Sequence, residues 1–447
     1  MDNFIINAAN FIWGTPLLIL LLGGGLFFMI YSGFLPFRFF RHAIDVLRGK
    51  YDNQNDPGDI NHFQALSGAL AATIGMGNIS GVAVAIAMGG PGAIFWMWVS
   101  AFLGMATKFF TATLAVMYRG KDSEGKIQGG PMYYIREGLG EKWKPLAMFF
   151  AAAGFFGATP IFQTNQIIQA IKDILFTDLT TSESMNFDLG MGITIAILVA
   201  LVIFGGIRRI GEVAGKLVPS MVVIYVLSVL VILIVNIQSL GNSFLLILTD
   251  AFTAESAMGG AVGALIIAGA RRAAFSNEAG IGTAPMMHGA AKTKEPVREG
   301  LVAMLGPAID TLVICTMTGL AILVTDVWKT SDLNGISLTA KAFGDSIPVV
   351  GPYILTMCVL IFAFTTLFGF AYYGQKCLSF LIGVKYAHLF NFWYIGLVIV
   401  GSVSTLQVVV SFIDLAYGLM AFPTMIGAIL LAPKAKQAAL DYFRNLK

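Results

Sequence analysis

Apolar residues in this chain come in runs of about twenty, separated by short polar segments that hold most of the charge. A helix needs about 20 apolar residues to cross the ~30 Å hydrocarbon core of a bilayer. Runs at 15–35, 66–88, 93–117, 145–171, 191–206, 217–238, 258–287, 298–323, 350–374, 391–409 and 411–432 predict about eleven spans. The intervening charges test that division. Segments 36–62, 118–144, 207–216, 288–297, 375–390 and 433–447, with Arg298 at a span edge, hold 22 of the 28 lysines and arginines. Segments on the other side hold only Lys172, Lys329 and Lys341. This positive-inside bias predicts an odd number of spans, an outside N-terminus and a cytoplasmic C-terminus.

Composition agrees with the pattern. Of 447 residues, 57% are hydrophobic and 12% charged, against roughly 25% charged in soluble domains, and the mean hydropathy is +0.79. A soluble enzyme and a disordered chain are excluded. A formal net charge of +3 provides no basic face for nucleic acid. Cys315, Cys358 and Cys377 give no disulfide framework, and with Asp2 and no basic residue ahead of the first run, no cleavable signal peptide is expected. The chain reads as an all-α polytopic membrane protein.

Motifs of chemistry are missing. The nearest approach to a phosphate-binding loop, Gly211-Glu-Val-Ala-Gly-Lys-Leu217, lacks both spacing and hydroxyl. No His-Glu-x-x-His pair or Gly-x-Ser-x-Gly elbow occurs. These absences predict a carrier driven by an ion gradient and no enzyme.

Two spans are interrupted. The second reads Leu66-Ser-Gly-Ala-Leu-Ala-Ala-Thr-Ile-Gly-Met-Gly-Asn-Ile-Ser-Gly81, and the seventh contains Gly269-Ala-Arg-Arg-Ala-Ala-Phe-Ser-Asn-Glu-Ala-Gly-Ile-Gly-Thr-Ala-Pro285. Each central glycine costs a helix roughly 1 kcal/mol relative to alanine. A tight contact through small residues, Gly77-x-x-x-Gly81, is the bland reading of the first. The two lie five spans apart and so start on opposite sides, which predicts an inverted repeat of five plus five spans with one helix added at the N-terminus. The expected division is 1–62 as N-terminal helix and linker, 63–238 and 239–432 as the repeats, and 433–447 as a cytoplasmic tail. A helix opened within lipid frees peptide groups that must line a cavity; its N-termini suit an anion and its free carbonyls a cation. A zwitterion fits such a place. The amides of Gln163, Asn165, Asn78 and Asn277 could bind a solute neutral overall, or simply bond between helices. Thr365 and Thr366 in the ninth span offer hard oxygens for a monovalent ion, or bond back to their own helix. For proton coupling, Asp310 is the one well-centred carboxylate.

The stretches Ala72-Thr-Ile-Gly-Met-Gly-Asn-Ile-Ser-Gly, Gly89-Gly-Pro-Gly-Ala-Ile-Phe-Trp-Met-Trp, Gly129-Gly-Pro-Met-Tyr-Tyr, Arg272-Ala-Ala-Phe-Ser-Asn-Glu-Ala-Gly-Ile-Gly-Thr-Ala-Pro and Tyr372-Tyr-Gly-Gln-Lys resemble the alanine or glycine:cation symporter family. The resemblance implies a LeuT-like fold with an extra N-terminal helix and import of alanine or glycine with Na⁺ across a prokaryotic inner membrane. It implies a substrate site at Gly75, Met76, Gly77, Gln163, Phe275, Ser276 and Asn277. By analogy with the wider fold, Na⁺ would lie at Ala71, Ile74, Phe362, Thr365 and Thr366, and Asn78 matches the asparagine of a second ion site. Met76 stands where the archaeal-type pattern has threonine. Alternatives are a proton-coupled symporter of the same fold, an amino-acid sensor and a channel. The partners expected are the amino acid, Na⁺ and lipid, with no nucleic acid and no obligate protein partner.

Three assignments concern charge alone. Arg271, Arg272 and Glu278 form either a gate network or a static cluster on the cytoplasmic vestibule, with Glu278 neutralising the arginines. Lys108 snorkels or pairs. Asp414 opens the last span and faces its helix dipole.

Overall fold

The computed structural model describes residues 2–175, 181–252 and 261–446. The seventh run was expected to start at 258, outside the described residues. Helices α1 (Asp2–Ile12) and α2 (Thr15–Tyr31) form the N-terminal span, bent by 44° at the break. A short amphipathic helix α3 (Phe40–Leu47) follows. Helices α4 (His62–Thr73) and α5 (Gly77–Gly89) make the next span, and α6 (Gly92–Met117) returns through the bundle. A small antiparallel hairpin, β1 (Gly120–Lys121) and β2 (Ile127–Gln128), leads into α7 (Lys144–Gly157) and α8 (Ile161–Leu175), which share one span.

Next come α9 (Thr181–Ile203), α10 (Gly206–Val235) and α11 (Ile237–Asp250). The second interrupted run forms α12 (Ala261–Asn277) and α13 (Ala284–His288). It is followed by α14 (Pro296–Val324), a shorter helix α15 (Gly335–Ser346), then α16 (Val350–Ile382), α17 (Leu389–Val403) and α18 (Leu406–Asn445). Among the described residues, eight helices are each long and apolar enough to cross a membrane, and two bent pairs pass the same test together. The α12–α13 pair is not among these spans: α12 ends at Asn277 and the five-residue α13 starts at Ala284.

Local sequence explains where the broken span begins. Asn61 accepts from the Gln64 backbone N–H at 2.8 Å, and the Gln64 side chain accepts from the Asn61 backbone N–H at 3.0 Å. This reciprocal capping box satisfies two of the donors a helix start leaves open.

The last helix departs from expectation. Its apolar run stops at 432, yet α18 continues through Pro423 and Pro433 to Asn445. The Ala- and Lys-rich continuation has high helix propensity, and tertiary contacts hold it. Phe443 stacks on Phe39 at 3.6 Å, and Tyr442 hydrogen-bonds His42 at 2.8 Å. The expected tail is thus a helix docked on α3.

Candidate functional site

Both breaks are made by the residues that marked them in the sequence. Between α4 and α5, Ile74 leaves the helical region with ψ 92°, and Asn78 folds its side chain back so that Oδ1 accepts from Gly75 N–H at 2.9 Å. In α12–α13, Asn277 Oδ1 accepts from Ala279 N–H at 2.9 Å, while Glu278 (φ 55°), Gly280 (φ 85°) and Gly282 (φ 105°) take left-handed conformations. An asparagine can supply the missing acceptor locally, so each opened turn is partly satisfied without water.

The two breaks touch. A Cβ at Gly77 would lie 3.2 Å from Ser276 Cα and 3.3 Å from the Phe275 ring, and one at Gly75 would collide with Thr366 Oγ1. Glycine is needed here for close approach, the second reason a broken helix carries it. Asp310 on α14 joins the pieces. It accepts from Ser276 Oγ at 2.6 Å, from Asn78 Nδ2 at 2.9 Å and from Thr311 Oγ1 at 2.8 Å. All four residues are fully buried.

The residues expected to hold substrate fall around this contact. Gly75, Met76, Gly77, Ser276 and Asn277 are buried. Phe275 packs edge-on against Phe162 at 5.0 Å, with Tyr417 at 5.8 Å. Gln163, next to Phe162 on α8, is 2% exposed and its Oε1 has no hydrogen-bond partner. A buried acceptor left open costs about 1–3 kcal/mol, which is a reason to expect a ligand. Asn277 is already engaged at both ends, Nδ2 donating to Thr311 at 2.9 Å. Asn165 is partly exposed and donates to the Ser404 carbonyl at 2.6 Å.

Of the expected ion ligands, Ala71 and Thr366 meet across helices. Thr366 Oγ1 lies 3.2 Å from the Ala71 carbonyl, at the end of α4, and 3.0 Å from the Phe362 carbonyl. Thr365 bonds back within α16, to the Ile361 and Phe362 carbonyls at 3.1 and 2.8 Å. Asn78, matched to a second ion site, spends its amide on Gly75 and Asp310.

The charged residues require corrections. Glu278 does not neutralise the arginines: it accepts from Thr283 and, at 2.9 Å, from Tyr417. Arg272 pairs with Asp414 instead, and the Arg271 Nε lies 3.3 Å from the same carboxylate. Arg272 also lies over the Phe275 ring and Arg271 over Trp13, and Arg271 donates to Asn10 at 3.2 Å. The cluster therefore sits beside the N-terminal helix and the Phe275 ring. Asp414 is the ninth residue of α18, too deep to serve the first turn. Lys108 does not snorkel: it is 2% exposed, and its Nζ lies 3.2 Å from where a Cβ on Gly306 would stand.

At the basic end, Glu299 of α14 is held by His62 of α4 and, at 2.5 Å, by His288 of α13. Arg119 gathers the carbonyls of Gly289, Pro57, Thr293 and Ala291. Strand-like bonds between 59–60 and 290–292 close the same end. Sequence reading missed Asp310 as a pocket residue and Asp414 as a partner. An intramembrane carboxylate was the available signal for the first.

Two broken spans in contact, each buried and stitched to a third helix, define a polytopic carrier. A structural neighbour is MhsT in complex with L-phenylalanine, with TM-score 0.56 and 12% identity over 86% of this chain and 99% of that one; the likeness shows a shared LeuT-type fold. A sodium/alanine symporter AgcS of Methanococcus maripaludis is 41% identical over 437 residues, 96% of this chain and 94% of that protein. An uncharacterised transporter of Haemophilus influenzae is 42% identical over 454 residues, 100% and 97% of the two chains. A probable sodium/glutamine symporter GlnT of Bacillus subtilis is 35% identical over 451 residues, 100% and 92%. The model of the sodium:alanine symporter family matches residues 1–447, and the chain belongs to that family. It is a multi-pass membrane transporter and not an enzyme.

Two outcomes follow from this geometry. Gly75→Ala drives a methyl group into Thr366, so transport is lost while melting of the purified protein falls by the equivalent of about 1–3 kcal/mol; wild-type uptake would remove the close approach from the mechanism. Asp414→Asn leaves two buried guanidinium groups short of their carboxylate and destabilises by about 3–5 kcal/mol, read as loss of thermal stability in detergent.

Proposed function

We propose that the chain imports a small neutral amino acid, alanine or glycine, together with Na⁺ by alternating access, with its N-terminus outside and its C-terminus in the cytoplasm. The observation that carries this reading is the meeting of Thr366 with the Ala71 carbonyl directly beneath the Gly75–Gly77 break. A cation bound among Ala71, Ile74, Phe362, Thr365 and Thr366 would fix α4 against α16 and so shape the opened turn that receives substrate. Hydroxyl and carbonyl oxygens without a carboxylate suit a monovalent ion, and the relative AgcS bears the name of a sodium/alanine symporter.

Substrate would lie against the peptide groups of Gly75, Met76 and Gly77. Asn78 already occupies the Gly75 N–H, which leaves the Met76 and Gly77 groups for the carboxylate. The open Gln163 Oε1 is an acceptor suited to the substrate ammonium. Phe275 and Ser276 would bound the side-chain space, and Asn277 would keep the turn open. A space bounded by Phe275 would favour a small side chain. Alternation follows if the five-helix repeats rock against each other, opening in turn the Arg272–Asp414 end and the Glu299 end.

Counterflow of radiolabelled alanine in proteoliposomes, with Na⁺, K⁺ and pH gradients imposed separately, tests the coupling. The Thr365→Ala, Thr366→Ala double variant should raise the half-saturating Na⁺ concentration roughly tenfold or more; unchanged Na⁺ dependence sinks the ion assignment. Gln163→Ala should weaken alanine binding by roughly 10–100-fold, the worth of a hydrogen bond to a charged group, with little loss of stability because it also removes an unpaired acceptor. Wild-type affinity by calorimetry takes Gln163 out of the pocket.

A further inference from the structure

One feature outside the transport path lies where the N-terminal span, α6 and α18 converge at the basic end. There a slot of about 110 Å³ is floored by Phe109 and Phe110 of α6 and walled by Leu35 and Leu440. Arg38 and Lys436 stand at its edge, and no carboxylate lines it. The nearest acids along the chain are committed elsewhere: Asp45 pairs with Lys50, and Asp441 with Gln437 and Arg444. Lys436 leans over the Tyr31 ring at 4.0 Å and Arg38 over Phe39 at 5.4 Å. Both cations are thereby held beside the slot by aromatic faces.

The flanking sequence sets the depth. Phe34-Leu-Pro-Phe-Arg-Phe-Phe-Arg41 alternates rings with guanidinium groups, and Phe34, Phe37 and Phe40 are 52%, 53% and 38% exposed. Aromatic and basic residues mixed in this way belong at the membrane–water boundary, where an apolar crevice meets lipid tails and its cationic rim meets headgroups.

The geometry points to a binding site for one anionic phospholipid of the cytoplasmic leaflet, its phosphodiester held between Arg38 and Lys436 and the upper part of one acyl chain laid on Phe109 and Phe110. Leu440 closes the outer wall. The lipid would bridge the N-terminal span to α18 and so brace the added helix against the repeat. The substrate and ion assignments play no part in this argument; only the choice of leaflet depends on the proposed sidedness.

The test uses the full chain purified in detergent, with phosphatidylglycerol and phosphatidylcholine as probes, read by native mass spectrometry and by the gain in melting temperature on lipid addition. Wild type should retain phosphatidylglycerol over phosphatidylcholine. Each interfacial cation is worth about a fivefold change toward anionic lipid, so Arg38→Ala with Lys436→Ala should weaken retention by roughly 30-fold, and Arg38→Lys with Lys436→Arg should keep it. Leu440→Trp fills the slot with both charges intact and should also lose retention, which keeps the test open if the double alanine variant folds poorly. Lys121→Ala with Lys142→Ala removes the same charge from exposed positions away from the slot and should change nothing. Equal loss in that control, equal retention of both lipids, or the same thermal gain from inorganic phosphate would overturn the site.

Discussion

A peptide group inside a bilayer has no water to turn to, and the architecture of this protein follows from how two opened helices meet that demand. Each break carries its own acceptor: Asn78 for Gly75 and Asn277 for Ala279. What the asparagines leave unsatisfied must be met by other helices or by a ligand. Asp310 ties Asn78 to Ser276 and so links the two breaks through one carboxylate. Glycines at 75 and 77 let α16 and α12 come close enough for those bonds to form. The same shortage of partners that threatens the fold thus concentrates polar groups at one place.

Two buried charge clusters in the bundle use different chemistry. Arginine and aspartate lie beside aromatic rings in one cluster, with Arg272 between Asp414 and Phe275. In the other, a buried glutamate shared by two histidines ties together the basic ends of α4, α13 and α14. Removing one partner of a buried ion pair costs more than the pair itself contributes, so each cluster depends on having all its partners in place.

Sequence legibility was uneven, for physical reasons. Spans were readable because hydrocarbon thickness fixes their length, and both breaks were readable because glycine and asparagine in mid-span are costly unless used. The pairing of charges was not. Glu278 and the arginines are neighbours in sequence, yet Glu278 turns to Thr283 and Tyr417 because its φ of 55° points the chain away from α12. The helical continuation of α18 past 432 was hidden as well, since hydropathy marks where lipid ends and not where a helix does.

The amino-acid sequence alone determined that this chain lives in a membrane, roughly how often it crosses, and which two crossings are interrupted, because each of these depends on local hydrophobicity and backbone propensity. Only the tertiary structure decided which carboxylate answers which cation, that Asp310 sits between the breaks, and that Thr366 meets Ala71 while Gln163 is left open. Those contacts join residues up to hundreds of positions apart, and their energies depend on distance and burial, which no local pattern records.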